Sequence, residues 1–180
     1  INMNLKTVDK LADAIELSDA TKDYRGKSYL SSNSKSWGRV SFEFDGKAYN
    51  GKIRPHGTES IHFSHTKKSF AIKMDKEDLF LNMRRFSLII LEENSIPSFF
   101  MYELQRWFTG FDVKSFLLKV SINGVNQGVY ALEEKLQKTL LERNNWSGVD
   151  IVSPNDEWDH QYPANHVQPF NWDIASSKFK

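Results

Sequence analysis

Two dipeptides, Asp45-Gly46 and Asn123-Gly124, each stand between runs in which apolar and polar residues alternate one by one. A turn of this composition joins neighbouring antiparallel strands, because Asn, Asp and Gly accept the positive φ that a two-residue hairpin requires. Before the first turn, Val40, Phe42 and Phe44 alternate with Ser41, Glu43 and Asp45; after it come Tyr49, Gly51 and Ile53. Before the second, Phe116, Leu118, Val120 and Ile122 share one face, and the return run is Val129 to Leu132. Between the hairpins, Ser69 to Met74 places Phe70, Ile72 and Met74 on one side and Ser69, Ala71 and Lys73 on the other, and Phe86 to Leu91 reads as a buried strand.

Helical spacing marks three further segments. Thr7 to Leu17 carries Val8, Leu11, Ala12 and Ile15 on one stripe. Ser95 to Gly110 has an Asn94-Ser95 start, Pro97 in the first turn, a glycine stop, and an apolar face of Phe100, Leu104, Trp107 and Phe108. A third helix is expected from about Glu133 to Arg143, with Leu136, Leu140 and Leu141 on one side. Ser18 to Ser36 reads as a surface connection, and after Asn144 the pattern dissolves although Trp146, Trp158, Tyr162, Phe170 and Trp172 remain. The order of elements predicts an α+β fold, a twisted antiparallel sheet with a packed helix and a short irregular carboxy-terminal segment, and argues against βαβ units.

The 180 residues suffice for one substantial core. With 24 Lys and Arg against 23 Asp and Glu, the net charge of +1 disfavours a globally basic nucleic-acid binder, so no specific nucleic-acid partner is expected. The absence of Cys excludes disulfides, thiolate metal sites and a Cys nucleophile. No apolar run has the length of a transmembrane segment, and a chain opening on Ile1 reads as a processed or partial product.

Polar residues that carry chemistry cluster after Ile53: Arg54-Pro55-His56-Gly57-Thr58-Glu59-Ser60, then His62, His65, Thr66, Lys67 and Lys68. Glycine lets a backbone approach an anion, and hydroxyls and cations complete such a cradle; a solvated loop is the simpler account. No Walker or Gly-x-Gly-x-x-Gly pattern occurs, nor a Gly-x-Ser-x-Gly elbow. His56, His62 and His65 lack the spacing of a helical zinc site, and surface histidines are the default. Lys67-Lys68 and Arg84-Arg85, interleaved with Phe70 and Phe86, fit the wet face of a sheet better than a nucleic-acid groove.

Three co-linear blocks resemble the CotH family: Ile53 to Ser60; Lys67-Lys68-Ser69-Phe70-Ala71-Ile72-Lys73; and Val120 to Gly124 with Gly128-Val129-Tyr130-Ala131-Leu132-Glu133-Glu134-Lys135. That family is named for a bacterial spore-coat protein and is similar to atypical, secreted-type protein kinases; the resemblance covers about residues 40–143. The pattern gives an amino-terminal helix and linker over 1–36, and the resemblance implies a kinase-like amino-terminal lobe over 37–144 with an irregular tail or remnant of a second lobe over 145–180. The resemblance also implies ATP and Mg²⁺ as cofactors, phosphoryl transfer to Ser or Thr of a protein substrate, and an exported, surface or spore-associated setting. Lys73 is then the phosphate-binding lysine with Glu103 as its ion-pair partner, Arg54 and Lys68 are further nucleotide contacts with Lys67 a competitor, and Glu133-Glu134-Lys135 falls at the hinge. Asp173, in Asn171-Trp172-Asp173-Ile174-Ala175, resembles the first Asp of a Trp-Asp-x-Asp metal motif, and Asp156 or Asp159 is the catalytic carboxylate. The chain departs from the family at His56-Gly57-Thr58, where an Arg-Gly-Asn-type turn is usual, at Pro97, where an Arg is common, and at Ala175. Only 37 residues follow Arg143, little room for a second lobe. The alternative is therefore a non-catalytic surface, coat or scaffold relative, a pseudokinase that binds a protein partner.

Overall fold

The structure is a computed structural model that describes residues 1–20, 29–30, 35–57, 67–91, 95–146, 152–154 and 172–174. Helix α1 (Leu5–Ala20) precedes strands β1 (Gly38–Phe44), β2 (Lys47–Pro55), β3 (Phe70–Met74) and β4 (Arg85–Ile90); helix α2 (Ser95–Thr109) follows, then β5 (Ser115–Ile122), β6 (Val125–Glu134) and helix α3 (Lys138–Arg143). Strands β7 (Val152–Pro154) and β8 (Trp172–Ile174) pair with each other in a separate two-stranded sheet. The first six strands form one antiparallel sheet in the order β1-β2-β3-β4-β6-β5, so the architecture is α+β.

Strand alternation explains the core. Val40, Phe42, Tyr49, Ile53, Ile72, Met74, Phe86, Leu88, Tyr130 and Leu132 all reach one face and form a single buried cluster. The sheet curls around it, and residues 1–3 tie its two edges together. Asn2 N–H donates to the Ser41 carbonyl of β1 at 2.7 Å, while Ile1 nitrogen donates to the Ser121 carbonyl of β5 at 2.8 Å. Phe80 enters the same cluster, with its ring edge-on to Phe42, Phe44 and Tyr49 at centroid distances of 5.3, 5.1 and 5.2 Å.

Both expected hairpins are present, with Asp45 and Gly46 at φ 50° and 73° and Asn123 and Gly124 at 48° and 80°. Gly110 ends α2 at φ 68°, as expected. Helix α1 is rotated from the apolar stripe: Thr7, Leu11 and Ala14 are buried, whereas Val8 and Ala12 are exposed. The reason is a close approach at Gly38, where an added Cβ would lie 2.5 Å from Thr7 Cγ2, while Thr7 Oγ1 donates to the Arg39 carbonyl at 2.9 Å.

The expected helix over Glu133 to Arg143 is corrected to six residues starting at Lys138. Glu133 and Glu134 continue β6, because ladder bonds persist there: Glu134 N–H donates to Lys114 at 2.9 Å and Lys135 N–H to Arg85 at 3.1 Å. Arg143 then reaches back from α3 and donates to both carboxylate oxygens of the buried Glu134 at 2.7 and 2.6 Å. A second small cluster of Phe111, Val113, Leu140 and Leu141, with Tyr102 of α2 against it, sits beside this pair.

The hairpin at Phe80 to Met83 was not legible in the sequence, since it places Leu81 at φ 50° beside Asn82 at 65°. A leucine in the left-handed region costs about 1 kcal/mol, whereas Asn tolerates it. Leu81→Asn is therefore expected to raise stability by about 1 kcal/mol, seen as a higher urea midpoint at unchanged slope. A lower midpoint would contradict the turn.

Candidate functional site

The face of the sheet opposite the core gathers cations. Cross-strand register puts Arg39 of β1 beside Lys52 of β2, Lys52 beside Lys73 of β3, and Lys73 beside Arg85 of β4. Each alternates with a core residue, as Lys73 does between Ile72 and Met74, so burying the apolar set forces all four to the other side. The next row places Arg54 beside Ala71, Ala71 beside Ser87, and Ser87 beside Glu133. His56 Nδ1 lies 3.2 Å from Ser87 Oγ at the rim of this row.

The electrostatics are lopsided. Lys73 is pulled below its ordinary range by burial, then by Arg85, Lys52 and Arg84 in turn. Arg54 is lowered by burial and by Arg85; its guanidinium lies 4.9 Å over the Trp37 ring, and its Nε is buried without a hydrogen-bond partner. One end of the row is balanced, because Arg39 Nη1 donates to both Asp75 oxygens at 2.7 Å. The carboxylate of Glu133 in the neighbouring row is pushed upward by burial, with Lys135 opposing. Tyr102 of α2 is raised by burial and then by Glu133.

Arg54 and Lys73, both expected as nucleotide contacts, thus share this face. Lys68 lies just before β3; its carbonyl accepts the Tyr130 hydroxyl at 3.0 Å. Lys67 donates to the Val129 carbonyl and sits 4.2 Å from the Tyr130 ring centroid, engaged with β6. Glu103 accepts from Arg106 Nη2 of its own helix at 2.6 Å, and the groups that perturb Lys73 are all cationic. Asp173 is on β8, opposite Ser153. Asp156, Asp159, His62 and His65 lie outside the described residues, as do Thr58, Glu59 and Ser60.

Among the described residues no group of three or more His, Asp or Glu side chains converges as a metal site. The cationic face suits a multiply charged anion: among the described residues Lys52, Arg54, Lys73 and Arg85 have no matched carboxylate, Arg54 and Lys73 are half-buried, and Arg54 carries an unsatisfied N–H. Lys52, Arg85 and Ser87 were missed as members. The turn at Asp45-Gly46 dictates the Arg39–Lys52 pairing, but nothing in the sequence fixes how β2, β3 and β4 align across their longer connections.

The family model described as CotH kinase protein matches residues 53–178. The chain belongs to the CotH kinase protein family. No curated protein matches it.

Burial and like charges favour the neutral form of Lys73, so the native state gives up this proton below 10.5, the value in the unfolded chain. The unfolded state then binds more protons in that window, and this residue's contribution to stability rises with pH up to about 10.5. Lys73→Met should therefore be more stable than the parent at pH 7, and the gap should narrow towards pH 10. Urea denaturation at both pH values checks this; a parent equal to or more stable than the variant at pH 7 would contradict it.

Proposed function

We propose that the protein is a CotH-like phosphotransferase that uses ATP with Mg²⁺ to phosphorylate Ser or Thr of a partner protein. The observation that carries this reading is the cationic face of Lys52, Arg54, Lys73 and Arg85, without a paired carboxylate among the described residues, in a chain of this family. Catalysis of phosphoryl transfer is largely positioning and charge stabilisation, which fixed cations can supply. A curled antiparallel sheet with a helix between its fourth and fifth strands also supports the amino-terminal lobe of a kinase-like fold.

In this reading Lys73, Arg54 and Arg85 bind the phosphates of ATP, with Lys68 at the margin. The γ-phosphoryl group passes to the acceptor hydroxyl, ADP leaves, and the hydroxyl proton goes to Asp156 or Asp159. Asp173 contributes a ligand to Mg²⁺, whose chemistry when bound is to offset charge on the phosphates. Glu103 would have to exchange its bond to Arg106 for one to Lys73 to act as the ion-pair partner.

A second reading, a non-catalytic scaffold, draws on α2. Its Phe100, Met101, Leu104, Trp107 and Phe108 are all exposed, Trp107 and Phe108 at 84% and 85%. Such a stripe suits a protein partner.

The readings separate by two measurements. ATP with Mg²⁺ should raise the melting temperature, and Lys73→Ala should weaken that binding about tenfold, the equivalent of ~1.4 kcal/mol. Labelled phosphate should pass to the protein itself or to a Ser-rich peptide, and Asp173→Ala should abolish the transfer. A shift without transfer leaves a nucleotide binder; neither leaves the scaffold.

A further inference from the structure

A lysine becomes a nucleophile when it sheds its proton, and two conditions favour this in a protein: removal from water and the pressure of neighbouring positive charge. Lys73 meets both. It is half-buried within its row, with Lys52 on one side and Arg85 on the other, both exposed, while its chain neighbours Ile72 and Met74 are pinned in the core. Burial acts first on its ammonium, followed by Arg85, Lys52 and Arg84. The strand cannot slip to relieve this crowding without turning Ile72 outward.

Other lysines are held differently. Lys67 is also lowered by burial, but its nitrogen donates to the Val129 carbonyl and stands 4.2 Å from the Tyr130 ring centroid, and both partners favour the cation. Lys114 donates to the Leu81 carbonyl, and Lys138 pairs with Glu142 at 3.4 Å. Among the described residues the charged groups that act on Lys73 are all cationic, and Glu103 is engaged by Arg106. Neighbouring strands lie about 4.8 Å apart, so a phosphate seated on Lys52 or Arg85 keeps the rest of a small molecule over Lys73. A ligand that uses both features carries a phosphate and an electrophilic carbonyl a few bonds apart.

We propose that Lys73 is a covalent capture site for small phosphorylated aldehydes: Arg85 and Lys52 hold the phosphate, and the Lys73 amine forms an imine with the aldehyde carbon. The ammonium first releases a proton to solvent. The neutral nitrogen then attacks the carbonyl carbon, a C–N bond forms, and a proton passes from nitrogen to oxygen. The resulting hydroxyl leaves as water with the last N–H proton. No oxidant or reductant takes part, and hydrolysis reverses the step. The same cations serve the nucleotide site proposed above, but capture needs no phosphoryl transfer and stands without it.

Pyridoxal 5′-phosphate carries both groups and serves as the probe, with pyridoxal, which lacks the phosphate, as its control. The full chain is treated with each at the same low concentration, the imine is fixed with borohydride, and adducts are located by peptide mass spectrometry. The phosphate ester is expected to mark Lys73 about tenfold more than it marks Lys52, Lys67 or Lys68, and about tenfold more than pyridoxal marks Lys73. In concentrated urea the preference for Lys73 should vanish. In Arg85→Gln, an exposed position away from the core, the advantage of the phosphate ester over pyridoxal should shrink. Label spread evenly over the lysines, or a preference that survives urea, overturns the proposal. Equal marking of Lys73 by both aldehydes, or an advantage undiminished in Arg85→Gln, overturns the role given to the phosphate.

Discussion

A pleated strand can bury only every second side chain, and the rest of this structure follows from how β1 to β4 obey that rule. Burying Ile53, Ile72 and Phe86 contributes about 1.5–3 kcal/mol each. Like charges facing across strands cost only ~0.2–1 kcal/mol per pair. The apolar face therefore wins, and Lys52, Lys73 and Arg85 are held together against their mutual repulsion. They cannot separate by slipping one residue, since that slip would expose the whole core face. The fold fixes a concentration of positive charge that an anion would relieve.

The carboxy-terminal side of the sheet is held by a different device. Arg143 donates two bonds to the buried Glu134 and a third, at 2.7 Å, to the Asp112 carbonyl, and Asn144 Oδ1 accepts from Asp112 N–H at 2.6 Å. This locks the end of β6 to α3 and to the segment leading into β5. Glu133, one residue earlier, faces the cationic side and neighbours Tyr102. The corner that shapes the core thereby also sets the border of the candidate site.

Most of the sheet was legible because its signals are local. Asp45-Gly46 and Asn123-Gly124 name their turns, and the alternation at Val40 to Phe44 names its face. Glu133 and Glu134 misled because Leu136, Leu140 and Leu141 have helical spacing, while the burial of Glu134 depends on Arg143, nine residues away. The orientation of α1 was hidden for a similar reason: it depends on the missing side chain of Gly38. In the candidate site, Arg54 and Lys73 were named by resemblance to a family, but Lys52 and Arg85 join them only through register across β2, β3 and β4. Register over connections of that length is a tertiary property, set by packing rather than by any one turn.

If charge trapped by strand alternation is the functional feature, binding must track phosphate number. Isothermal titration with AMP, ADP and ATP at low and high ionic strength measures this directly. The account predicts affinity rising from AMP to ATP, a spread that shrinks in high salt as the cations are screened, and loss of the spread in a Lys73→Met, Arg85→Met double variant. Three nucleotides binding alike, indifferent to salt and to those substitutions, would contradict it.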